Sequence, residues 1–458
     1  MDRMDNTIAA ISTPYGEGGI GVIRISGGSA LDVAKRVFRP VSVKSVGDMD
    51  GYTTAYGEIV DDKGELIDTG ILSIFKSPRS YTGEDVAEIS CHGGIYVTNY
   101  LLHLILESGA RLAEPGEFSK RAFLNGKMSL TQAESVMDII SAKSTQAVRM
   151  AAAAGEGKLY EEIGGISKDL MELSAYFAAW FDYPEEEMQE YSYDDVDKIL
   201  HTSFSRLDKL IMGYGQGKII KEGIPTVIVG KPNVGKSTLM NLFAGVQRSI
   251  VTDIPGTTRD IIEESVRVGD LILNISDTAG IRSTDDVVER FGVELAEKRI
   301  DSSHLILAVF DGSVKLSDDD KHIARLVDKK NTIAIVNKSD LSKDIDTAFL
   351  EENFEKIIYI SAKQEKGIDE LKNAIAEVLM LDKFDPSAAV LANERQLEAA
   401  RQAHDYLKEC IESLHSGVTY DLISVVLESA LDCLLQLSGE RAGDKIVETV
   451  FARFCLGK

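Results

Sequence analysis

The order of apolar and polar positions divides the chain into distinct textures. Over residues 1–118, short runs rich in β-branched residues alternate with glycine-containing turns. The runs 7–12, 21–25, 52–60, 71–75 and 86–90 are predicted strands, and apolar positions at helical spacing predict a helix over 95–107. Residues 119–217 change character: Ala, Leu, Glu, Met and Lys dominate and the spacing is helical. The helical pattern breaks at Asp182–Pro184, and Glu185–Glu187 then fit a first helical turn, where the macrodipole favours carboxylates. Gly213–Gly217 (GYGQG) predicts a linker. Over 218–382, strands, loops and helices alternate in the order that builds a parallel α/β sheet. Over 383–458 the helical texture returns, clearly from Asn393 onward. Two helical blocks around an α/β insert predict one discontinuous helical domain carrying the insert, with two separate helical domains as the alternative.

The insert carries the chemistry. The apolar run 226–230 (TVIVG) leads into Gly230–Ser237 (GKPNVGKS), and Thr238–Ala244 read as a helix. Strand, glycine loop and helix in that order form a phosphate cradle, with backbone N–H groups and the helix dipole facing the anion. Asn233, Val234, Gly235 and Thr238 line such a loop, Lys236 reaches the β and γ phosphates, and Ser237 ligates Mg²⁺. After the predicted strand 271–276 comes Asp277–Gly280 (DTAG): Asp277 can hold Mg²⁺ through water, and the Gly280 N–H can meet the γ-phosphate, with Thr278 and Ala279 between them. Between the two motifs lies a candidate switch segment containing Thr252, Asp253, Ile254, Pro255, Gly256, Thr257 and Thr258, with Thr258 closing on Mg²⁺.

A third strand, 332–336, ends in Asn337, Lys338, Ser339 and Asp340. The Asp340 carboxylate can accept two hydrogen bonds from guanine N1–H and its exocyclic amine, a donor pair that adenine lacks. A site built on such bonds rejects the wrong base by roughly 10⁴-fold. The strand 357–360 leads to Ser361, Ala362 and Lys363, whose backbone can support the guanine carbonyl. The position after Asp277–Gly280, where Ras-like enzymes carry a water-orienting Gln, is Ile281. Another group must act on the water, and Glu289 and Glu294 are the candidates.

Bulk properties narrow the setting without altering this picture. The 458 residues carry a net charge of −24, which argues against a uniformly basic nucleic-acid surface but leaves room for a local patch. Four cysteines, Cys91, Cys410, Cys433 and Cys455, form no Cys-x-x-Cys pair, and neither a structural zinc site nor a disulfide framework is expected. The start is acidic, and the apolar stretches are too short to span a bilayer. The expectation is a cytoplasmic protein without integral membrane association.

Beyond the nucleotide motifs stand Asp5–Ala10 (DNTIAA), Gly21–Gly27 (GVIRISG), Ser80–Asp85 (SYTGED) with His92–Gly94, Pro115–Lys127 (PGEFSKRAFLNGK), Leu130–Glu134 (LTQAE) and Cys455–Lys458 (CLGK). On these motifs together, the whole chain resembles the tRNA-modification GTPase family MnmE (TrmE). The resemblance implies a multidomain α/β and α chain: an N-terminal α+β folate-binding and dimerisation domain, a discontinuous helical domain and an inserted Ras-like P-loop G domain. It implies a homodimer that works with the flavin enzyme MnmG (GidA), in a heterotetramer or larger complex, on the wobble uridine of tRNA. The one-carbon unit would come from 5,10-methylene-tetrahydrofolate, for which the 5-formyl form is an analogue. By position, Arg24, Glu88, Lys127 and Lys458 match the family's folate contacts. Asn233, Thr252, Ile254 and Thr257 match its K⁺ site, Ser237 and Thr258 its Mg²⁺ ligands, and Glu289 its catalytic glutamate.

Two other functions compete. A regulatory Era-like GTPase switch on RNA or the ribosome would share the insert but not the N-terminal motifs. A prenylated signalling GTPase fails on chemistry, because Gly457 is not aliphatic and no basic run precedes Cys455. The helical spacing of 447–456 predicts a packed terminal helix, with Cys455 either a buried filler or a group near the one-carbon unit.

Overall fold

A computed structural model describes residues 7–41, 43, 45–182, 191–246, 263–276, 300, 303–327 and 331–458. It resolves into two compact units, Met1–Met137 with Ala154–Phe204 and Ala399–Lys458, and Asp138–Ala153 with Ser205–Glu398.

In the first unit a seven-stranded sheet runs in the order β3-β4-β5-β6-β2-β1-β7. Its strands are β1 (Ile8–Ile11), β2 (Ile20–Ser26), β3 (Phe38–Pro40), β4 (Thr53–Val60), β5 (Leu66–Phe75), β6 (Val86–His92) and β7 (Arg111–Leu112). Neighbours are antiparallel except β1 and β7. Because side chains alternate across a strand, one face of β2 carries Ile23 and Ile25 into a core shared with α1 (Ala30–Val37) and α2 (Ile95–Glu107). Arg24 therefore points to the other face. The β2–β6 register sets it directly opposite Glu88. On that face α3 (Glu117–Leu124) buries Phe118 with Ile8 and Ala10. The predicted strands and the 95–107 helix appear within a few residues; α1, β3 and β7 were not anticipated.

Helices α4 (Leu130–Ser141), α5 (Thr145–Gly155), α6 (Lys158–Asp182) and α7 (Tyr193–Glu222) follow. The predicted turn at Glu185–Glu187 lies outside the described residues. The expected linker at Gly213–Gly217 is instead helical, inside α7. Glycine costs a helix about 1 kcal/mol relative to alanine, and a 30-residue helix absorbs that. Gly217 has a packing reason, since a Cβ there would lie 2.8 Å from Val390 Cγ1.

The second unit holds a six-stranded sheet in the order β13-β12-β11-β8-β10-β9. Its strands are β8 (Ile224–Val229), β9 (Glu263–Val268), β10 (Leu271–Ser276), β11 (Leu305–Asp311), β12 (Thr332–Asn337) and β13 (Ile357–Tyr359). All pairings are parallel except that of β9. Between and after the strands come α8 (Lys236–Val246), α9 (Asp318–Leu326), α10 (Thr347–Asn353) and α11 (Ile368–Val378). Apolar clusters on both faces bury the central strands, and β11 and β12 accordingly read as unbroken apolar runs.

Helices α12 (Glu394–His415), α13 (Tyr420–Ser438) and α14 (Asp444–Phe451) complete the chain, and α13 packs along α6. The predicted terminal helix stops at Phe451. Phe451 and Phe454 are buried, and the backbone beyond them turns instead of continuing.

Candidate functional site

Strand β8 ends at Val229, Gly230 opens the loop, and α8 begins at Lys236. Gly230 and Gly235 have φ of +153° and +101°, and a Cβ on them would lie 2.5 Å from Val309 O and 2.2 Å from Asn337 Nδ2. Only glycine fits either position. Asn233 between them is left-handed, with φ of +64°. Lys236 curls over the loop, its ammonium donating to Gly230 O and, at 2.8 Å, to Lys231 O. Burial lowers its pKa. Gly230, Asn233, Gly235, Lys236, Ser237 and Thr238 line a cavity of about 650 Å³, within the range of small-ligand sites.

The base-recognition residues close onto this loop. Asn337, buried at the end of β12, donates from Nδ2 to Val234 O at 2.9 Å. Its Oδ1 accepts from the Ala362 N–H at 3.0 Å. One side chain thus ties the phosphate loop to the Ser361–Lys363 segment. Lys338 donates to Asn233 O at 3.0 Å and pairs with Asp311 Oδ2 at 2.5 Å. Asp340 is exposed and accepts at Oδ1 from Ser361 Oγ at 2.6 Å, the main cause of its lowered pKa. Ser361 and Ala362 are buried, and Lys363 is exposed.

Two supporting groups escaped the sequence reading. Asp311, at the end of β11, holds Lys338. Asp320 is almost fully buried and binds Lys231 Nζ at 2.6 Å, bracing the phosphate loop from α9. The signal for it was present: Ser317 and Asp320 form a capping box at the α9 N-terminus. The candidates Thr252, Asp253, Ile254, Pro255, Gly256, Thr257, Thr258, Asp277, Thr278, Ala279, Gly280, Ile281, Glu289 and Glu294 lie outside the described residues.

In the first unit, Arg24 Nε donates to Glu88 Oε1 at 2.7 Å, and its guanidinium lies 5.2 and 5.6 Å from the Tyr81 and Phe118 ring centroids. Arg24 Nη1 also reaches Gly457 O at 3.5 Å. Residues 455–458 are docked here: the Gly116 N–H donates to Cys455 O, the Phe118 N–H to Lys458 O at 3.2 Å, and Ser12 Oγ to Gly457 O at 3.2 Å. Of the four folate candidates, Arg24 and Glu88 therefore meet, and the main chain of Lys458 is docked on Phe118, whose ring lies against Arg24. Lys127 sits on Pro78 O at 3.0 Å, beside a cavity of about 480 Å³ that also involves Glu84, Asp85 and Asn125. Cys455 is exposed, against the reading of it as a buried filler. Beneath Arg24's face, Arg121 is buried and bridges Glu117, one helical turn before it, and Glu84, the second a contact that no local spacing announces.

A glycine phosphate loop stitched to an Asn-Lys-x-Asp base pocket at one end of a largely parallel sheet defines the class: a P-loop guanine-nucleotide-binding protein. The remainder of the chain narrows it. A family profile described as "GTP-binding protein TrmE N-terminus" matches residues 7–127, and one described as "MnmE helical domain" matches residues 130–455. The chain is 41% identical to the tRNA modification GTPase MnmE of Desulforamulus reducens, covering 99% of this chain and 100% of that one. It is 42% identical to the protein of the same name from Thermoanaerobacter pseudethanolicus, covering 99% of each. Among solved structures, the G domain of the T. maritima FeoB iron transporter is 22% identical, with a TM-score of 0.26, covering 33% of this chain and 96% of that one. The chain belongs to the MnmE family of tRNA modification GTPases. Among the described residues, no helix is long and apolar enough to cross a membrane.

Proposed function

We propose that this chain hydrolyses GTP and that hydrolysis serves modification of the tRNA wobble uridine at C5. The observation that carries the nucleotide half is Asn337, whose two hydrogen bonds join the phosphate loop to the base-recognition segment. In this reading Lys236 faces the β and γ phosphates, Asp340 reads guanine, and Glu289 orients the attacking water. Mg²⁺ would be held by Ser237 and Thr258 and would neutralise charge on the β and γ oxygens. In this reading Asn233, left-handed at the loop crest, would hold K⁺ together with Thr252, Ile254 and Thr257. A unit positive charge about 4 Å from the developing negative charge contributes roughly 4 kcal/mol at an effective dielectric of about 20. That corresponds to roughly 10³-fold in rate.

For the modification half, similarity over the full length of the chain supports the reading. Arg24, Glu88, Lys127 and Lys458 are assigned to tetrahydrofolate. The donor set fits such a ligand, since a carboxylate suits paired pterin N–H groups and cations suit a glutamyl tail. The bound folate would supply the one-carbon unit. The flavin enzyme MnmG, a homodimeric arrangement of this chain and a cytoplasmic setting complete the proposal. Its domains are 1–118 for folate and dimerisation, 119–217 with 383–458 for the helical domain, and 218–382 for the nucleotide.

The test has two arms. Purified chain should hydrolyse GTP but not ATP, faster in KCl than in NaCl at matched ionic strength, and Glu289→Ala should bind GTP without hydrolysing it. Total tRNA from cells lacking the chain should lose the modified wobble nucleoside. GTP turnover with unchanged tRNA nucleosides would favour the regulatory-switch reading instead.

A further inference from the structure

Away from both sites, α7 and α12 bring three metal-ligating side chains together. Asp197 and His201 lie four residues apart on one face of α7, the spacing that lets two helical side chains share one ion. His415, the last residue of α12, meets them. Its Nε2 is 2.7 Å from Asp197 Oδ1, and His201 Nε2 is 3.6 Å from the same oxygen. The two imidazole rings are 5.9 Å apart and tilted by 35°. Among the described residues this is the one group of three His, Cys, Asp or Glu side chains whose ligand atoms all lie within 4.8 Å of one another. Ligands of a tetrahedral ion with bonds of about 2.05 Å stand about 3.3 Å apart, so only small side-chain adjustments are needed.

We propose that Asp197, His201 and His415 form a divalent transition-metal site that staples α7 to α12. Two imidazoles and one carboxylate suit Zn²⁺, Co²⁺ or Ni²⁺ and disfavour Mg²⁺, which prefers all-oxygen shells. Both histidine side chains are half exposed, which leaves an entry path and a fourth position for water. The ligands all lie in the first unit but span 218 positions of sequence, so the ion pins the two ends of a long excursion of the chain and stabilises the folded state by mass action.

Co²⁺ titration of the full-length chain tests this. The wild type should take up one Co²⁺ with tetrahedral d–d absorption, release it to Zn²⁺, and show a higher Tm with Zn²⁺ present. His201→Ala and His415→Ala should each weaken Co²⁺ binding at least tenfold and abolish the Zn²⁺-dependent rise in Tm. Cys455→Ser, which removes the exposed thiol, should keep both. Absence of a Co²⁺ signal in the wild type, equal binding by the histidine variants, or loss of binding in Cys455→Ser would overturn the assignment.

Discussion

Asn337 donates to the main-chain oxygen of Val234 across 103 positions of sequence, and it accepts from the Ala362 N–H with its other amide atom. Both partners face a buried setting, so removing the amide leaves a donor and an acceptor unpaired. Each such loss costs about 1–3 kcal/mol. Asn337→Ala should therefore weaken GDP binding by at least about 30-fold, read by titration with a fluorescent guanine nucleotide. An affinity within twofold of the parent would mean that the phosphate loop and the base pocket hold their geometry without this link.

Asp340 presents an acceptor where guanine presents donors, with Ser361 Oγ holding one of its oxygens. Asp340→Asn replaces acceptor with donor on one side and suits xanthine, which carries a carbonyl where guanine has its amine. The variant should lose GTP hydrolysis and gain hydrolysis of xanthosine triphosphate, a reversal of preference on the order of 10⁴-fold. Retained GTP preference would remove Asp340 from base recognition.

The pair formed by Asp311 and Lys338 makes a pH dependence. Burial works to raise the Asp311 pKa, but the hydrogen bonds from Lys338 and Ser313 and the Lys338 charge outweigh it, and the net shift is downward. A carboxylate with a depressed folded-state pKa contributes stability that is complete above its unfolded value, about 3.9, and lost as pH falls through the folded value. Asp311→Asn should lower the Tm of nucleotide-domain unfolding at neutral pH, and the gap to the parent should close in acid, below about pH 4. A gap that stays constant across that window would show that the ion pair adds nothing to stability.

The features legible in sequence were those encoded locally. Residues Gly230–Ser237 announced the phosphate loop because strand, glycines and helix follow within one short stretch. Asn337–Asp340 and Ser361–Lys363 announced the base pocket for the same reason. What the spacing could not carry were the long-range bonds: Lys231 to Asp320 and Arg121 to Glu84 join segments that only tertiary packing brings together. Gly213–Gly217 misled in the opposite direction. Glycine marks chain freedom locally, but at Gly217 the absent side chain serves close packing against Val390. The edge strand β7 is two residues long and owes its existence to pairing with β1, so no periodicity could reveal it.

Gly457 is the hinge on which the docking of the last residues turns. Its φ is +89°, a region costing other L-residues about 1–2 kcal/mol, and an added Cβ would lie 2.3 Å from Ile11 O and 3.0 Å from Ser12 Cα. Those neighbours are backbone atoms of β1 and the residue after it, so they cannot rotate aside. Gly457→Ala should therefore expel the segment and break the bonds that Ser12 and Arg24 make to Gly457 O and that Phe118 makes to Lys458 O. Hydrogen exchange over 452–458 should rise, and tetrahydrofolate affinity should fall at least tenfold. Lys458→Ala provides the contrast, since it keeps the backbone docking and removes only the ammonium. It should leave exchange in 452–458 at the parental level while still weakening binding of the glutamyl tail. If Gly457→Ala frees the segment yet binds tetrahydrofolate as tightly as the parent, residues 455–458 pack against the sheet without forming part of a folate site.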